Sequence, residues 1–413
     1  MIKINGGKSM NRRQLLSGLS AGTASMFLPW HGAQAGGAAL RGYLRTNWSH
    51  DPYAFGSYSY VAKGARQSDR RTLGAPIANR VYFAGEAVHP THNSTVHAAY
   101  ESGVMVAEDV TQNTSGHVAV IGAGVSGLAA AQALSQNGRL VTVFEARDRI
   151  GGRIWTSDDL GAPLDLGASW IHGTRRNPIT ALARNANATT VATDESYIAR
   201  GSDGRVIDDE DAPDWLENVT TIQHNAGADS SEINLRAYNA QPEYGGEHVI
   251  FPDGYDSIIP ALRESYDVRT SETVSAIAHN EDGVIVTSNG ADAHFDTVIV
   301  TLPLGVLKRN TVAFTPPLPS DKQAAIAQLG MGTLDKLYLL YDQPFWDEDI
   351  TWIATPETGL PRGNFNQWLN LSKHLGHPII MAFNGGPPAL QLSELSDEEI
   401  VRQAQHVLHS AYF

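Results

Sequence analysis

Gly122-Ala123-Gly124-Val125-Ser126-Gly127 is a GxGxxG run set between an apolar stretch and an Ala-rich one. With a strand before it and a helix after it, such a run cradles phosphate. The first glycine permits the tight turn, the second lets a pyrophosphate approach the backbone, and the third lets helix and strand pack closely. Ser126 opens the helix, whose free N–H groups face the phosphates. Glu145 closes the next apolar run, where a carboxylate accepts ribose hydroxyls and repels a 2′-phosphate. A second candidate is Lys336, an isolated cation in LDKLYLLY. On an alternating strand it shares a face with Tyr338 and Leu340. A solvated strand lysine and a lysine held at a reaction centre both fit that pattern.

These groups need a scaffold, and the apolar periodicity supplies one. His117–Gly122 reads as a strand, Ser126–Asn137 as a helix and Leu140–Glu145 as a second strand, a β-α-β unit. Upstream, Ser57–Val61 and Val81–Phe83 read as short strands, Arg66–Ala78 as polar loop, and Thr95–Val110 as a helix. Downstream, residues 174–243 read as mostly helical and polar, and Val249–Pro252 opens a strand-loop-helix stretch. Val274–Ala278, Gly283–Ser288 and His294–Val300 alternate as a small sheet, Leu334–Tyr341 is a strand, and Ser396–Ala411 is a terminal helix. Alternating strands and helices predict an α/β protein.

The 413 residues, 42% of them hydrophobic, are enough for two domains. The formal charge of −14 disfavours nucleic acid and anionic lipid as partners. There is no cysteine, which excludes disulfides, thiolate nucleophiles, cysteine-ligated metals and a cysteinyl-linked cofactor. His89, His92 and His97 cluster without a zinc-type spacing, so no metal site is expected. No apolar run reaches the roughly 20 residues of a membrane helix. Residues 10–35 carry the Arg12-Arg13 pair, a loosened apolar stretch and Ala33-Gln34-Ala35. They resemble a twin-arginine export signal, and a periplasmic or secreted location is expected.

The loop EARDRIGGR (145–153) carries a family likeness. It resembles that of the flavin amine oxidases: polyamine oxidases, monoamine oxidases and lysine-specific histone demethylases. GASWIHG (167–173), VTLPLGVLK (300–308), PFW (344–346), FAGEA (83–87) and STVHAAYESG (94–103) extend the resemblance. It implies a Rossmann-like FAD-binding domain of the glutathione-reductase type, interleaved with an α+β substrate domain. The FAD domain would take residues 76–168 and 244–308, and the substrate domain 169–243 and 309–413. Residues 36–75 would cross between them, after a signal segment at 1–35. In the family FAGEA closes the chain, whereas here it precedes GxGxxG, so a circularly permuted order is expected.

The resemblance also implies roles. FAD would bind non-covalently, with Arg147 and Arg153 on the adenosine and diphosphate and with Ala146 and Gly152 of the same loop beside them. Gly167, Ala168 and Ser169 would run beside the flavin ring, and the Val274 backbone would recognise the adenine. Glu86 would hold a ribityl or diphosphate-side hydroxyl. Thr95 and Val96 would start a helix aimed at the pyrimidine end of the flavin. Lys336 would hold a water against flavin N5, and His172 would face the substrate. Trp48, Tyr58 and Tyr60 come from the family's aromatic segment, as substrate walls or as core. His92 stands where several relatives carry an aromatic. The implied reaction is oxidation of a small amine to an imine or aldehyde, with O2 reduced to hydrogen peroxide. An L-amino-acid oxidase, or a flavin-binding protein without catalysis, fits the same motifs.

Overall fold

The computed structural model describes residues 37–413. The expected export signal at 1–35 lies outside the described residues. The first elements in chain order are β1 (Leu40–Arg45), β2 (Tyr58–Tyr60), α1 (Gln67–Gly74) and β3 (Val81–Phe83). They are followed by α2 (Val96–Asn113), β4 (Val118–Ile121), α3 (Val125–Gln136) and β5 (Val141–Phe144).

VAVI and VYF are apolar or aromatic throughout, VTVF is interrupted only by Thr142, whose hydroxyl meets His117 Nε2 at 3.0 Å, and all their residues are buried. A strand buried on both faces belongs in a parallel sheet covered on both sides. The sheet has five strands in the order Asp267–Arg269, β5, β4, Thr297–Val300, β3, and every pairing is parallel. β3, early in the chain, is therefore an edge strand of the sheet built around β4. Helix α2 returns from it to lie on α3. Gly103 makes that approach possible, because a Cβ there would stand 2.2 Å from the Ser126 carbonyl oxygen.

A four-stranded sheet (Val274–His279, Val284–Ser288, Ala291–Phe295, Ala313–Thr315) packs beside this layer. A seven-stranded sheet forms the other half. β1 pairs antiparallel with Leu334–Tyr341, which continues into Ile379–Gly385, Gln367–Asn370, Trp352–Ala354, Tyr197–Arg200 and Val206–Ile207. Its strand Leu334–Tyr341 alternates as its sequence suggests. Leu337, Leu339 and Tyr341 enter one core, while Tyr338 enters the core shared with the parallel sheet.

Three sequence expectations are corrected. Arg66–Ala78 is not loop: it contains α1, whose start is closed by the Asp69 carboxylate accepting the Arg66 N–H at 2.7 Å. The helix buries Arg70 and Leu73, one of which is charged, so its buried face does not read as apolar. Residues 174–243 hold three short strands besides their helices, at 191–192, 197–200 and 206–207. His294–Val300 is not one strand. It divides at Asp296, whose carboxylate accepts the His117 N–H at 2.6 Å. The part before it stays in the small sheet and Thr297–Val300 enters the parallel one. Among the described residues, no helix is long and apolar enough to cross a membrane.

Candidate active site

A cavity runs along the carboxyl ends of β4 and β5, and the glycine run forms one wall. Gly122 has φ +107°, and a Cβ there would lie 2.6 Å from Thr301 Oγ1. At Gly127 a Cβ would lie 2.0 Å from the Gly122 carbonyl oxygen, so this glycine fixes how closely α3 packs on β4. Gly124 differs from both. Its φ is −75° and its Cβ position meets only Gly152 Cα at 3.8 Å. Nothing in the protein occupies that space, which is the cavity itself.

Glu145 follows β5 on the same rim and is 6% exposed. Its carboxylate accepts the Ala123 N–H at 2.8 Å and the Arg147 N–H at 2.9 Å. The turn is thereby tied to the acid. Ala146, Arg147, Gly152 and Arg153 continue the lining, and Val274 closes this end. Arg147 is held by Asp51 at 2.6 Å and lies over the Tyr53 ring.

Glu86, Ser94, Thr95 and Val96 line the opposite end. Glu86 is buried, and its carboxylate gathers donors from several elements: Ser59 Oγ at 2.6 Å, Ser94 N–H at 3.0 Å and Arg153 Nη1 at 3.0 Å. Burial pulls the Glu86 acid up, but Arg153, Arg70 and Ser59 outweigh it and hold it below the usual range. Thr95 caps α2, its hydroxyl accepting the Ala98 N–H at 3.3 Å. The positive end of an 18-residue helix thus faces the cavity rim.

A second cavity of about 660 Å³ shares Ser94 and Thr95 with the first, so the two meet at the start of α2. His92, His97, His172 and His248 line it, with Tyr60 and Tyr244. Both ring nitrogens of His172 are buried without a hydrogen-bond partner. Burial, reinforced by His248, pushes its imidazole down to about 3. His92 stacks on Tyr244 at 5.3 Å with the rings 8° apart.

Lys336 lies in Leu334–Tyr341, 1% exposed. Nζ donates to Asp165 O at 2.6 Å, Gly167 O at 2.7 Å and Ser169 Oγ at 2.5 Å. These acceptors account for all three N–H groups of an ammonium. They belong to the strip whose Ala168 lines the first cavity. Burial pushes the lysine down and the neighbouring Asp165 carboxyl up.

Ala123, Gly127, Gly167 and Ser169 stand behind the cavity wall rather than in it. Two aromatic expectations change. Trp48 is fully buried in the core and lines neither cavity. Tyr58 lines the first cavity, not the second, and its hydroxyl donates to the His224 carbonyl. Tyr60, the third aromatic of that segment, does line the second cavity, together with Tyr238 and Tyr244. Nothing in the local sequence around Tyr244 marks it. Arg70 was hidden in a polar run, although its i, i+3 spacing to Leu73 is the trace a helix leaves. Among the described residues, no cluster of His, Asp and Glu is placed to hold a metal.

The model of the flavin-containing amine oxidoreductases matches residues 25–111, 125–211 and 226–413. The chain belongs to this family. It is 32% identical to polyamine oxidase 4 of Oryza sativa subsp. japonica, over 69% of this chain and 70% of that protein. It is 28% identical to lysine-specific histone demethylase 1 homolog 2 of the same plant, over 90% of this chain and 55% of that one. Cyclohexylamine oxidase from Brevibacterium oxydans IH-35A shares the fold, with a TM-score of 0.59 and 20% identity over 72% of this chain and 81% of that one. The protein is thus a flavin amine oxidase, and its cofactor is FAD. The donor set fits that group. The oxidase offers a glycine-walled space at Gly124, a ribose-type acid at Glu145 and a helix start at Thr95.

Proposed function

We propose that this chain oxidises a small amine, polyamine-like or a primary or secondary monoamine, to an imine that hydrolyses to an aldehyde, with O2 reduced to hydrogen peroxide. The observation that carries this reading is the meeting of the two cavities at Ser94 and Thr95. One has the chemistry of a dinucleotide site, and the other holds the buried, unpartnered ring nitrogens of His172 and the Nε2 of His97. FAD, when bound non-covalently, supplies the two-electron acceptor for the C–H bond beside nitrogen and passes the electrons to O2.

The chain's residues would do the rest. Gly122, Gly124 and Ser126 receive the pyrophosphate, Glu145 the adenosine ribose, and Arg147 and Arg153 the adjacent oxygens. Val274 stands at the adenine end, and Glu86 takes a hydroxyl near the flavin. The α2 N-terminus favours negative charge on a reduced ring. His172 accepts from the substrate nitrogen and favours its neutral form. Lys336 orders the Gly167–Ser169 strip beside the ring. Lys336 itself lines neither cavity, so the water-holding role at the flavin would need one of its protein contacts to be exchanged for a water.

The L-amino-acid oxidase reading needs a cationic partner for the substrate carboxylate. No arginine is among the described residues lining the second cavity, whereas Asp214, Glu217 and Glu243 are. That balance disfavours a substrate carboxylate and suits an amine. We further propose that the chain is a circular permutation of the family order. β3 on the Thr297–Val300 edge and α2 against α3 support it, since FAGEA and its helix pack against the unit that follows them. Export to the periplasm rests on Arg12-Arg13 and the stretch after them.

Purified protein tests the reading. Anaerobic bleaching of the yellow protein by spermidine, putrescine or a monoamine, followed by peroxide release on aeration, is expected. A yellow protein that no amine bleaches would leave a flavin-binding protein without this activity.

A further inference from the structure

His97 is 6% exposed, yet it lines the second cavity. It occupies the first turn of α2, next to the Thr95 shared by both cavities. Its Nε2 is buried without a hydrogen-bond partner. A buried imidazole nitrogen left unpaired costs free energy, and a native structure tolerates that mainly where a ligand or water completes it.

The ring is held firmly. His92 and Tyr244 form the stacked pair, and His97 stands edge-on to both, at 4.8 Å and 88° from His92 and at 5.0 Å and 87° from Tyr244. Tyr244 is anchored in turn, its hydroxyl donating to Glu101 Oε1 at 2.7 Å. Glu101 also lies 3.4 Å from His89 Nε2, and His89 Nδ1 accepts the His92 N–H at 3.0 Å. His97 and Glu101 stand on one face of α2, one turn apart. Each ring that touches His97 is therefore fixed from behind by a group that does not itself enter the cavity wall at that point.

Charge selects what such a wall can take. Burial first, then His92, His172 and His89, pushes the His97 imidazole well down, so it is neutral, and in the tautomer with its hydrogen on Nδ1 the bare Nε2 is an acceptor. The N-terminus of α2 disfavours a cation at this end of the cavity. A neutral amine with an N–H bond matches both conditions. An ammonium meets the positive helix end, and a neutral tertiary amine has no hydrogen to donate.

We propose that His97 is a specificity-determining residue that accepts a hydrogen bond from the substrate amine, so that the site takes amines retaining an N–H when neutral and rejects N,N-dialkylated ones. This rests on the amine-oxidation reading. It adds to that reading a residue and the rejection of N,N-dialkylated amines.

The test uses the FAD-loaded protein and anaerobic bleaching with spermidine, putrescine and benzylamine, each beside the analogue methylated at every nitrogen, which keeps no N–H. Native protein is expected to prefer the N–H amine by about tenfold or more in half-saturation. His97→Phe keeps a ring against Tyr244 but removes the acceptor. It should hold FAD normally, raise half-saturation for the N–H amine about tenfold and erase the preference. His97→Asn, which restores an acceptor, should recover most of both. His97→Phe with native half-saturation and preference would overturn the assignment. Equal bleaching of both analogues by the native protein would overturn it without any variant. Failure of every amine to bleach the native protein would instead remove the amine-oxidation reading beneath it.

Discussion

The glycine wall gives the sharpest prediction, because two glycines of one motif should fail in different ways. At Gly124 a methyl group points into space bounded only by Gly152 Cα at 3.8 Å, and φ is an ordinary −75°. The apoprotein should tolerate Gly124→Ala, with a loss of about 1 kcal/mol at most from replacing glycine at the start of α3. At Gly127 the added carbon would sit 2.0 Å from the Gly122 oxygen and 3.1 Å from Val120 Cγ1. Helix and strand would have to separate by more than an ångström. Overpacking of that kind costs roughly 3 kcal/mol or more, against about 1 kcal/mol returned by the better helix propensity of alanine. Gly127→Ala should therefore lower apoprotein stability by about 2 kcal/mol. FAD binding should respond in the opposite order. The Gly124 methyl occupies the face where the pyrophosphate must approach, and a weakening of about 100-fold, or 2.8 kcal/mol, is expected. Urea unfolding of the apoproteins and titration of FAD fluorescence give the two quantities separately. Native-like FAD affinity in Gly124→Ala would refute the assignment of this cavity. A Gly124→Ala apoprotein less stable than Gly127→Ala would refute the packing argument.

Lys336→Met should keep FAD but slow flavin reduction or reoxidation by at least about tenfold in stopped-flow absorbance. The apoprotein should lose about 1–3 kcal/mol, because Asp165 O and Gly167 O lose a buried donor. Glu86→Gln should cost about 3 kcal/mol in urea unfolding and weaken FAD binding, since it leaves the guanidinium of Arg153 and the buried Arg70 without their counter-charge. His172 is held neutral by burial, with its folded value near 3, below the unfolded one. The unfolded chain then binds the extra proton between about pH 6.5 and 3, so this residue subtracts stability as pH falls through that window. His172→Phe should accordingly gain about 2–3 kcal/mol relative to native protein between pH 7.5 and pH 4.5, read from paired urea melts. No change in that difference would place the imidazole in solvent.

The sequence by itself determined the parts whose physics is local. GxGxxG must turn, bare its N–H groups and pack a helix, and each demand falls on a residue within the run. The largely apolar strings VAVI, VTVF and VYF read as buried strands, and the isolated lysine in LDKLYLLY shares a face with Tyr338. Everything that depended on what meets what across the chain was decided in three dimensions. Arg70 can be buried on a helix made from a polar run because Ser59 and Ala87 accept from its guanidinium and the charge of the buried Glu86 supports it. Trp48 and Tyr58 look alike as aromatics in one segment, yet one is core and the other edges the cofactor cavity. Tyr244, more than a hundred residues from His92, finds its stacking partner through the approach of two loops. Side-chain type and short spacing carry hydrogen-bonding capacity and periodicity. Which donor finds which acceptor is set by chain reversals of long sequence separation, and no local pattern encodes those.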